Sequence, residues 1–186
     1  MVSGNGVAAE EVGRPVSPPA AQQAGTGASP GITEKVRRQA AAMQHSFAFT
    51  QVIGVMMRSE RYKNYTLADL EWLIIPPLLA GQFRIGEVKA KEGDTTLPAA
   101  VILWASVSPE VDQRLMQADT AAVRLQPEEW KSGDIVWVLH SVGSTRFLRE
   151  LFKKLAETTF KGREVKVLGR GQDGKPAVHV LPAAAA

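Results

Sequence analysis

The sequence predicts an α/β fold of the α+β class, in which helices flank a mostly antiparallel central sheet. Three observations lead to this prediction. A long helical pattern opens the folded part of the chain, short apolar strand patterns separated by turn residues follow it, and further helical patterns are interleaved with those strands.

Length and composition limit the domain organisation. The chain has 186 residues, no cysteine and a net charge of +3, which predicts one globular domain without disulfides or thiol chemistry. We expect a cytoplasmic protein, with neither a signal peptide nor a membrane span. The small positive charge favours an acidic partner and does not indicate nucleic acid.

Three segments are expected along the chain. Glycine and proline are frequent in residues 1–31 and large apolar side chains are almost absent there, so this segment is predicted to be a disordered low-complexity tail. The single folded domain is predicted to span residues 32–182. Residues 183–186 are expected to form a short frayed C-terminus.

The first helix is predicted over residues 32–58, where apolar side chains recur every three or four residues. Thr33 is the expected N-cap. The methionine and phenylalanine stripe of this helix is interpreted as core.

A second helix is predicted to begin at Leu67, because Thr66 and Asp69 have the spacing of a capping box. Pro76 and Pro77 are expected to end or kink it.

The remaining patterns alternate between strands and helices. A helix is expected after Ser108, which is followed by proline and acidic residues, and another after the turn at Gly143. The predicted strands are residues 83–88, 99–107, 135–142, 164–168 and 177–180.

Two places in the chain contain candidate functional groups. Residues 59–65 hold a hydroxyl, an acid, cationic groups, phenols and an amide directly after the first helix. His140 ends an apolar strand next to a turn and a helix N-terminus, where titratable groups often act in chemistry. A histidine satisfied by a backbone carbonyl is the alternative interpretation.

Two other patterns predict neither a nucleotide site nor a metal site. Residues 169–174 match the glycine pattern of dinucleotide-binding loops, but a strand follows them instead of a helix, which favours a hairpin turn. The three histidines lack a second ligand at helical spacing, so no metal site is expected.

Residues 144–175 contain nine basic against four acidic residues, which is typical of a docking surface for an acidic protein.

Four blocks of this sequence together resemble the RTX-toxin-activating lysine acyltransferases, over about residues 40 to 170. The most specific block is W-x-S-G-D-x-x-W, beginning at Trp130. The other three are Ser59 to Asn64, the capped helix with its continuation to Gln82, and Trp104-Ala105 followed by Ser108 and an acidic helix.

The resemblance implies a GNAT-like acyltransferase fold and the transfer of a fatty acyl group to internal lysines of an RTX-type protein. It implies acyl carrier protein as the acyl donor, no bound cofactor, and frequent formation of homodimers.

Two positions depart from the family pattern. Tyr62 stands where the resemblance places a catalytic histidine, and His140 stands where it places an aspartate. The hypothesis is a swapped catalytic dyad, with His140 as base and Tyr62 as orienting donor or acid. It requires the Tyr62 hydroxyl and the His140 ring to lie within hydrogen-bond reach. The predicted substrate- or acyl-donor-binding residues are Ser59, Arg61, Lys63, Asn64, Gly143, Ser144, Thr145 and Arg146.

Two other functions stay open at this point. One is a catalytically reduced homologue that acts as an adaptor and binds acyl carrier protein or an RTX protein. The other is a GNAT-like acetyltransferase that uses coenzyme A, for which residues 140–145 would represent the phosphate loop.

Overall fold

A five-stranded sheet forms the centre of the domain. The computed structural model describes residues 30–89, 95–117, 124–171 and 175–183. The strands lie in chain order, all neighbours antiparallel except β3 and β4, which are parallel. The strands are β1 (Phe83–Lys89), β2 (Thr96–Val107), β3 (Ile135–Gly143), β4 (Val165–Arg170) and β5 (Pro176–Leu181). The predicted α+β class with a mostly antiparallel sheet is therefore confirmed.

Five α-helices accompany the sheet in the described residues. They are α1 (Pro30–Met56), α2 (Leu70–Leu73), α3 (Ile75–Leu79), α4 (Pro109–Gln117) and α5 (Thr145–Glu157). Helix α5 connects the two parallel strands, because parallel neighbours need a crossover of this kind. Helix α1 begins at Pro30, so the prediction that Thr33 is its N-cap is wrong. The described residues begin at position 30, so residues 1–29 of the predicted tail lie outside them.

The capped segment after α1 differs from the predicted single helix. The Thr66 backbone N–H donates to the Asp69 carboxylate at 2.8 Å and the Thr66 hydroxyl does so at 2.9 Å, which stabilises a 3₁₀ turn over Leu67–Asp69. Helix α2 follows this turn. The two prolines occupy the first turn of α3, where the missing N–H groups cost no hydrogen bond. Helix α2 ends at Leu73, so the predicted break before Pro76 is present, and the two prolines lie in the first turn of the next helix.

Helices cover both faces of the sheet. Residues of α1, α2 and α3 pack on one face against Val101 and Leu103 of β2. Helix α5 packs on the other face through Leu151 and Leu155. A third cluster at the far end of the first face surrounds Trp130.

The glycine-rich segment after β4 connects an antiparallel pair, as predicted. Strands β4 and β5 pair along their length, and the Gly171 N–H donates to the Lys175 carbonyl at 2.7 Å. Residues 172–174 of the motif lie outside the described residues.

The turn before β3 depends on Gly133, which lies against the backbone of β2. A Cβ at this position would lie 2.5 Å from the Val107 carbonyl oxygen and 2.7 Å from the Ser108 Cα. The Gly133 N–H donates to the Ser106 carbonyl at 3.0 Å. This close approach explains why the turn of the W-x-S-G-D-x-x-W block needs glycine.

Replacing Gly133 by alanine is expected to lower the free energy of unfolding by about 2 kcal/mol or more, because backbone atoms must move to admit the methyl group. Gly54→Ala in α1 is the matched control, since its Cβ would meet nothing within 4 Å, and it should raise stability by up to about 1 kcal/mol. Urea denaturation measures both. Equal midpoints for the two variants would contradict this account of the turn.

Candidate active site

Tyr62 enters the core through a tight turn at the end of α1. The Ser59 N–H donates to the Met56 carbonyl at 2.9 Å, and the Tyr62 N–H donates to the Ser59 carbonyl at 3.0 Å. The turn over Glu60–Tyr62 is 3₁₀. It directs the phenol inward, so that Tyr62 is only 6% exposed.

A β-bulge in β3 decides which face of the sheet His140 occupies. Leu103 of β2 pairs with His140, whereas the next residue, Trp104, pairs with Val138. Leu139 is therefore an extra residue in β3. Side chains alternate along a strand, so one extra residue moves those that follow to the other face. Without the bulge, His140 would lie with Val138 on the face that α5 covers.

The bulge brings His140 to Tyr62. The Tyr62 hydroxyl oxygen lies 2.9 Å from His140 Nδ1, and the two rings meet edge to face with centroids 6.0 Å apart. His140 is 8% exposed. The two groups that the swapped-dyad hypothesis requires to be within hydrogen-bond reach are therefore in contact, whereas their role in catalysis stays a prediction.

Burial shifts the pKa values of both groups away from neutrality. Burial raises the pKa of Tyr62 to about 12, although the Arg61 cation opposes this shift. Burial, reinforced by the Arg61 cation, lowers the pKa of His140 to about 3. At neutral pH the phenol is protonated and the imidazole is neutral, and the tautomer of His140 decides which of the two groups donates in their hydrogen bond. His140 is thus a weaker base than its ordinary pKa suggested from the sequence.

This pKa shift predicts a pH dependence of stability. The unfolded chain takes up a proton at His140 as the pH falls below about 6.5, whereas the folded protein does so only near pH 3. The free energy of unfolding should therefore decrease with falling pH between these values, by at most about 1.4 kcal/mol per pH unit from this group. Urea titrations at pH 7, 6, 5 and 4 measure this dependence, and the free energy of unfolding of His140→Asn should decrease less steeply with falling pH than that of the wild type. Identical decreases in the two proteins would contradict the assignment of this pH dependence to His140.

A groove between the end of α1 and the turn after β3 contains several of the predicted donor-binding residues, although Tyr62 and His140 do not line it. It has a volume of about 480 Å³ and is lined by Arg58, Ser59, Val142, Gly143 and Ser144, among others. Gly143 has a φ of +135°, and a Cβ there would lie 2.8 Å from Ala100 Cβ, so only glycine fits. The structure thus brings Ser59 together with Gly143 and Ser144, although the sequence separates them widely.

The other predicted binding residues surround the site without lining this groove. The Arg61 guanidinium lies 5.7 Å from the centre of the Tyr62 ring. Lys63 forms an ion pair with Glu60, and Asn64 is exposed in the same turn. Thr145 and Arg146 are exposed at the start of α5.

An apolar cavity on the other side of the α1 terminus was not predicted from the sequence. It measures about 450 Å³, and Tyr62 is one of its walls together with Ile53, Met56, Met57, Leu67 and Leu70. The apolar residues that line the cavity recur at the same helical spacing as those that pack in the core, so the sequence pattern does not distinguish the two.

The W-x-S-G-D-x-x-W block supports the fold at a distance from the Tyr62–His140 pair. Trp137 Nε1 donates to Asp112 Oδ1 at 2.7 Å, and Lys166 Nζ contacts both oxygens of the same carboxylate at 2.7 and 2.8 Å. Ser132 Oγ accepts from the Ser108 N–H at 2.9 Å. These contacts fix α4 and β4 against β3, the strand that contains His140.

This five-stranded α+β domain, with its helices on both faces, is consistent with an acyltransferase fold. The sequence profile of the RTX toxin acyltransferase family matches residues 41–182. The match covers most of the chain, and the protein therefore belongs to this family. An uncharacterized protein of Synechocystis sp. is 23% identical over 130 residues, which cover 70% of this chain and 84% of that relative.

Across residues 30–89, 95–117, 124–171 and 175–183, no helix is long and apolar enough to cross a membrane. In the same part of the chain, no three or more histidine, aspartate or glutamate side chains are grouped so that they could hold a metal ion.

Proposed function

We propose that this protein transfers a fatty acyl group from acyl carrier protein to internal lysines of an RTX-type protein. The observation that supports this most strongly is the 2.9 Å contact between the Tyr62 hydroxyl and His140 Nδ1. It joins the two positions at which the resemblance places the catalytic side chains of the family. Membership of the RTX toxin acyltransferase family supports the same reaction class.

Tyr62 has the protonation state of a general acid in this reaction. A neutral lysine amine attacks the thioester carbonyl carbon, the C–N bond forms and the C–S bond breaks. The departing sulfur takes the proton of the Tyr62 hydroxyl, and the phenol oxygen recovers a proton from the amine nitrogen, so that no net charge accumulates. The raised pKa of Tyr62 keeps the phenol protonated for this step. Neutral His140, in its Nδ1–H tautomer, donates to the phenol oxygen, which holds Tyr62 in position and leaves the hydroxyl proton free for the sulfur.

The groove lined by Ser59, Gly143 and Ser144 is suited to the acyl-donor arm. It opens at the N-terminus of α5, where the backbone N–H groups of Gly143 to Thr145 favour a developing oxyanion. Exposed cations follow on α5 at Arg146, Arg149, Lys153 and Lys154. A basic surface of this kind favours an acidic carrier protein over a small neutral donor.

One experiment tests the proposal directly. Purified protein is incubated with an acyl-acyl carrier protein and an RTX-type protein, and mass spectrometry follows the acylation of lysine. The proposal expects acylated lysine with this donor, and far less with acyl-coenzyme A at the same concentration. Absence of acylation under conditions where both proteins bind would contradict it, and efficient use of acyl-coenzyme A would favour the acetyltransferase alternative.

The adaptor function is a second candidate because of a specific observation. Burial lowers the pKa of His140 to about 3, so the imidazole cannot accept a proton readily at neutral pH. An adaptor would bind acyl carrier protein or an RTX protein without turnover. It would also keep that binding after the combined substitution Tyr62→Phe and His140→Ala.

A cytoplasmic location follows from the acyltransferase proposal, because acyl chains are loaded onto acyl carrier protein in the cytoplasm. Homodimerisation follows only from the family resemblance. Location and dimerisation both stay predictions.

A further inference from the structure

The apolar cavity beside Tyr62 is closed at its inner side and open at its rim. Met56 is 4% exposed and, with Tyr62, forms the inner part of the wall. Met57 and Leu67 are 71% and 87% exposed at the opening. Large apolar side chains that surround a concave opening in this way are typical of a ligand site.

Few polar groups line this cavity, and two of its three hydroxyls already contact polar groups within the protein. The Tyr62 hydroxyl contacts His140 at 2.9 Å, and the Thr66 hydroxyl donates to Asp69 at 2.9 Å. Tyr65 also lines the cavity, and its ring packs against the Tyr62 ring with centroids 5.3 Å apart. The remaining wall residues are aliphatic or thioether side chains. Burying a charged ligand group among them would leave it without an ionic partner, which is costly. The cavity therefore favours an uncharged hydrocarbon.

The volume indicates which hydrocarbon fits. A methylene group takes up about as much space as a water molecule in the liquid, roughly 30 Å³, so about 450 Å³ accommodates a chain on the order of fifteen carbons. The aliphatic stem of a lysine has only about four methylenes and would leave most of the space empty.

We infer that this cavity holds the acyl chain of the donor, with the carbonyl end at Tyr62 and the chain between Met56, Leu67 and Leu70. This inference rests on the proposed acyltransferase function. The volume of the cavity would then determine which acyl chain length the protein prefers. The same Tyr62 ring then borders both the acyl chain and the reacting thioester.

The test measures binding without turnover. The full chain is titrated calorimetrically with thioethers of pantetheine that bear octyl, dodecyl or hexadecyl chains, which cannot transfer an acyl group. Affinity is expected to rise about fourfold per methylene from octyl to dodecyl and to level off toward hexadecyl as the cavity fills. An affinity independent of chain length would overturn the inference.

A pair of matched variants locates the binding. Leu67→Glu places a charge at the rim on an exposed position, so the fold should persist, and it should weaken hexadecyl binding about tenfold or more. Leu79→Glu is the control, because Leu79 is also exposed, at 66%, but lies on α3 beside a different cavity. Equal affinities of the two variants for the hexadecyl thioether would overturn the inference. The inference would also fail if the wild type self-associates and Leu67→Glu abolishes this association without changing thioether binding.

These outcomes separate the cavity from the function. If the wild type binds the hexadecyl thioether in a Leu67-dependent manner but acylates no lysine, the proposed function fails and the cavity assignment holds. If the wild type acylates lysine with a chain-length preference that Leu67→Glu leaves unchanged, the cavity assignment fails and the function holds.

Discussion

Tyr62→Phe is expected to slow acyl transfer by about 10²–10⁴-fold, the usual contribution of a positioned acid–base group. The substitution removes only the hydroxyl that contacts His140 Nδ1 at 2.9 Å and keeps the ring that borders the apolar cavity. Single-turnover measurements with acyl-acyl carrier protein and an RTX-type protein give the rate.

The affinity for the donor is the internal control for this prediction. The hydroxyl acts in the transition state, so kcat should decrease while the Kd for acyl-acyl carrier protein stays unchanged. Circular dichroism must show the same melting transition within a few degrees, because one buried hydroxyl is lost. A variant that binds and transfers at the wild-type rate would show that Tyr62 is structural.

Asp112→Ala is expected to lower the free energy of unfolding by about 3 kcal/mol or more. It would remove the carboxylate that Lys166 contacts at 2.7 and 2.8 Å and that accepts the Trp137 indole N–H at 2.7 Å. Lys166 and Asp112 are only 16% and 17% exposed. The substitution would leave a partly buried cation and a buried N–H without their acceptor.

Denaturation in guanidinium chloride measures this effect, with Asp134→Ala as the matched control. Asp134 belongs to the same block of sequence but its side chain is exposed. Combining Asp112→Leu with Lys166→Met should recover part of the stability, because it removes both charges. A loss for Asp112→Ala as small as that of the control would mean that the network does not hold β3 and β4 together.

The sequence was sufficient for the elements whose signals are local. The alternation around Phe83 and the apolar run from Ile135 predicted strands, and the Ser108-Pro109 pair predicted the start of α4. Pro76 and Pro77 predicted the break after α2, which ends at Leu73, but not that both prolines would lie in the first turn of α3. The packing of α3 against α1 stabilises this second helix.

The candidate site was predictable only as far as the family resemblance reaches. Tyr62 and His140 are 78 positions apart, and no local pattern pairs them. The bulge at Leu139, which turns His140 toward Tyr62, depends on the pairing of β2 with β3 and is invisible in the alternation of β3 itself. The pKa shifts depend on burial against neighbouring elements, which no local pattern of the sequence shows.

We propose that Tyr62 and His140 act as one unit in acyl transfer. The most direct test is a double-mutant cycle on the single-turnover rate, using Tyr62→Phe, His140→Ala and their combination, each checked for folding by its melting transition. We expect His140→Ala to slow transfer and the combined variant to be hardly slower than Tyr62→Phe alone, because each substitution disables the same pair. A wild-type rate in His140→Ala, or losses that simply multiply in the combined variant, would contradict it.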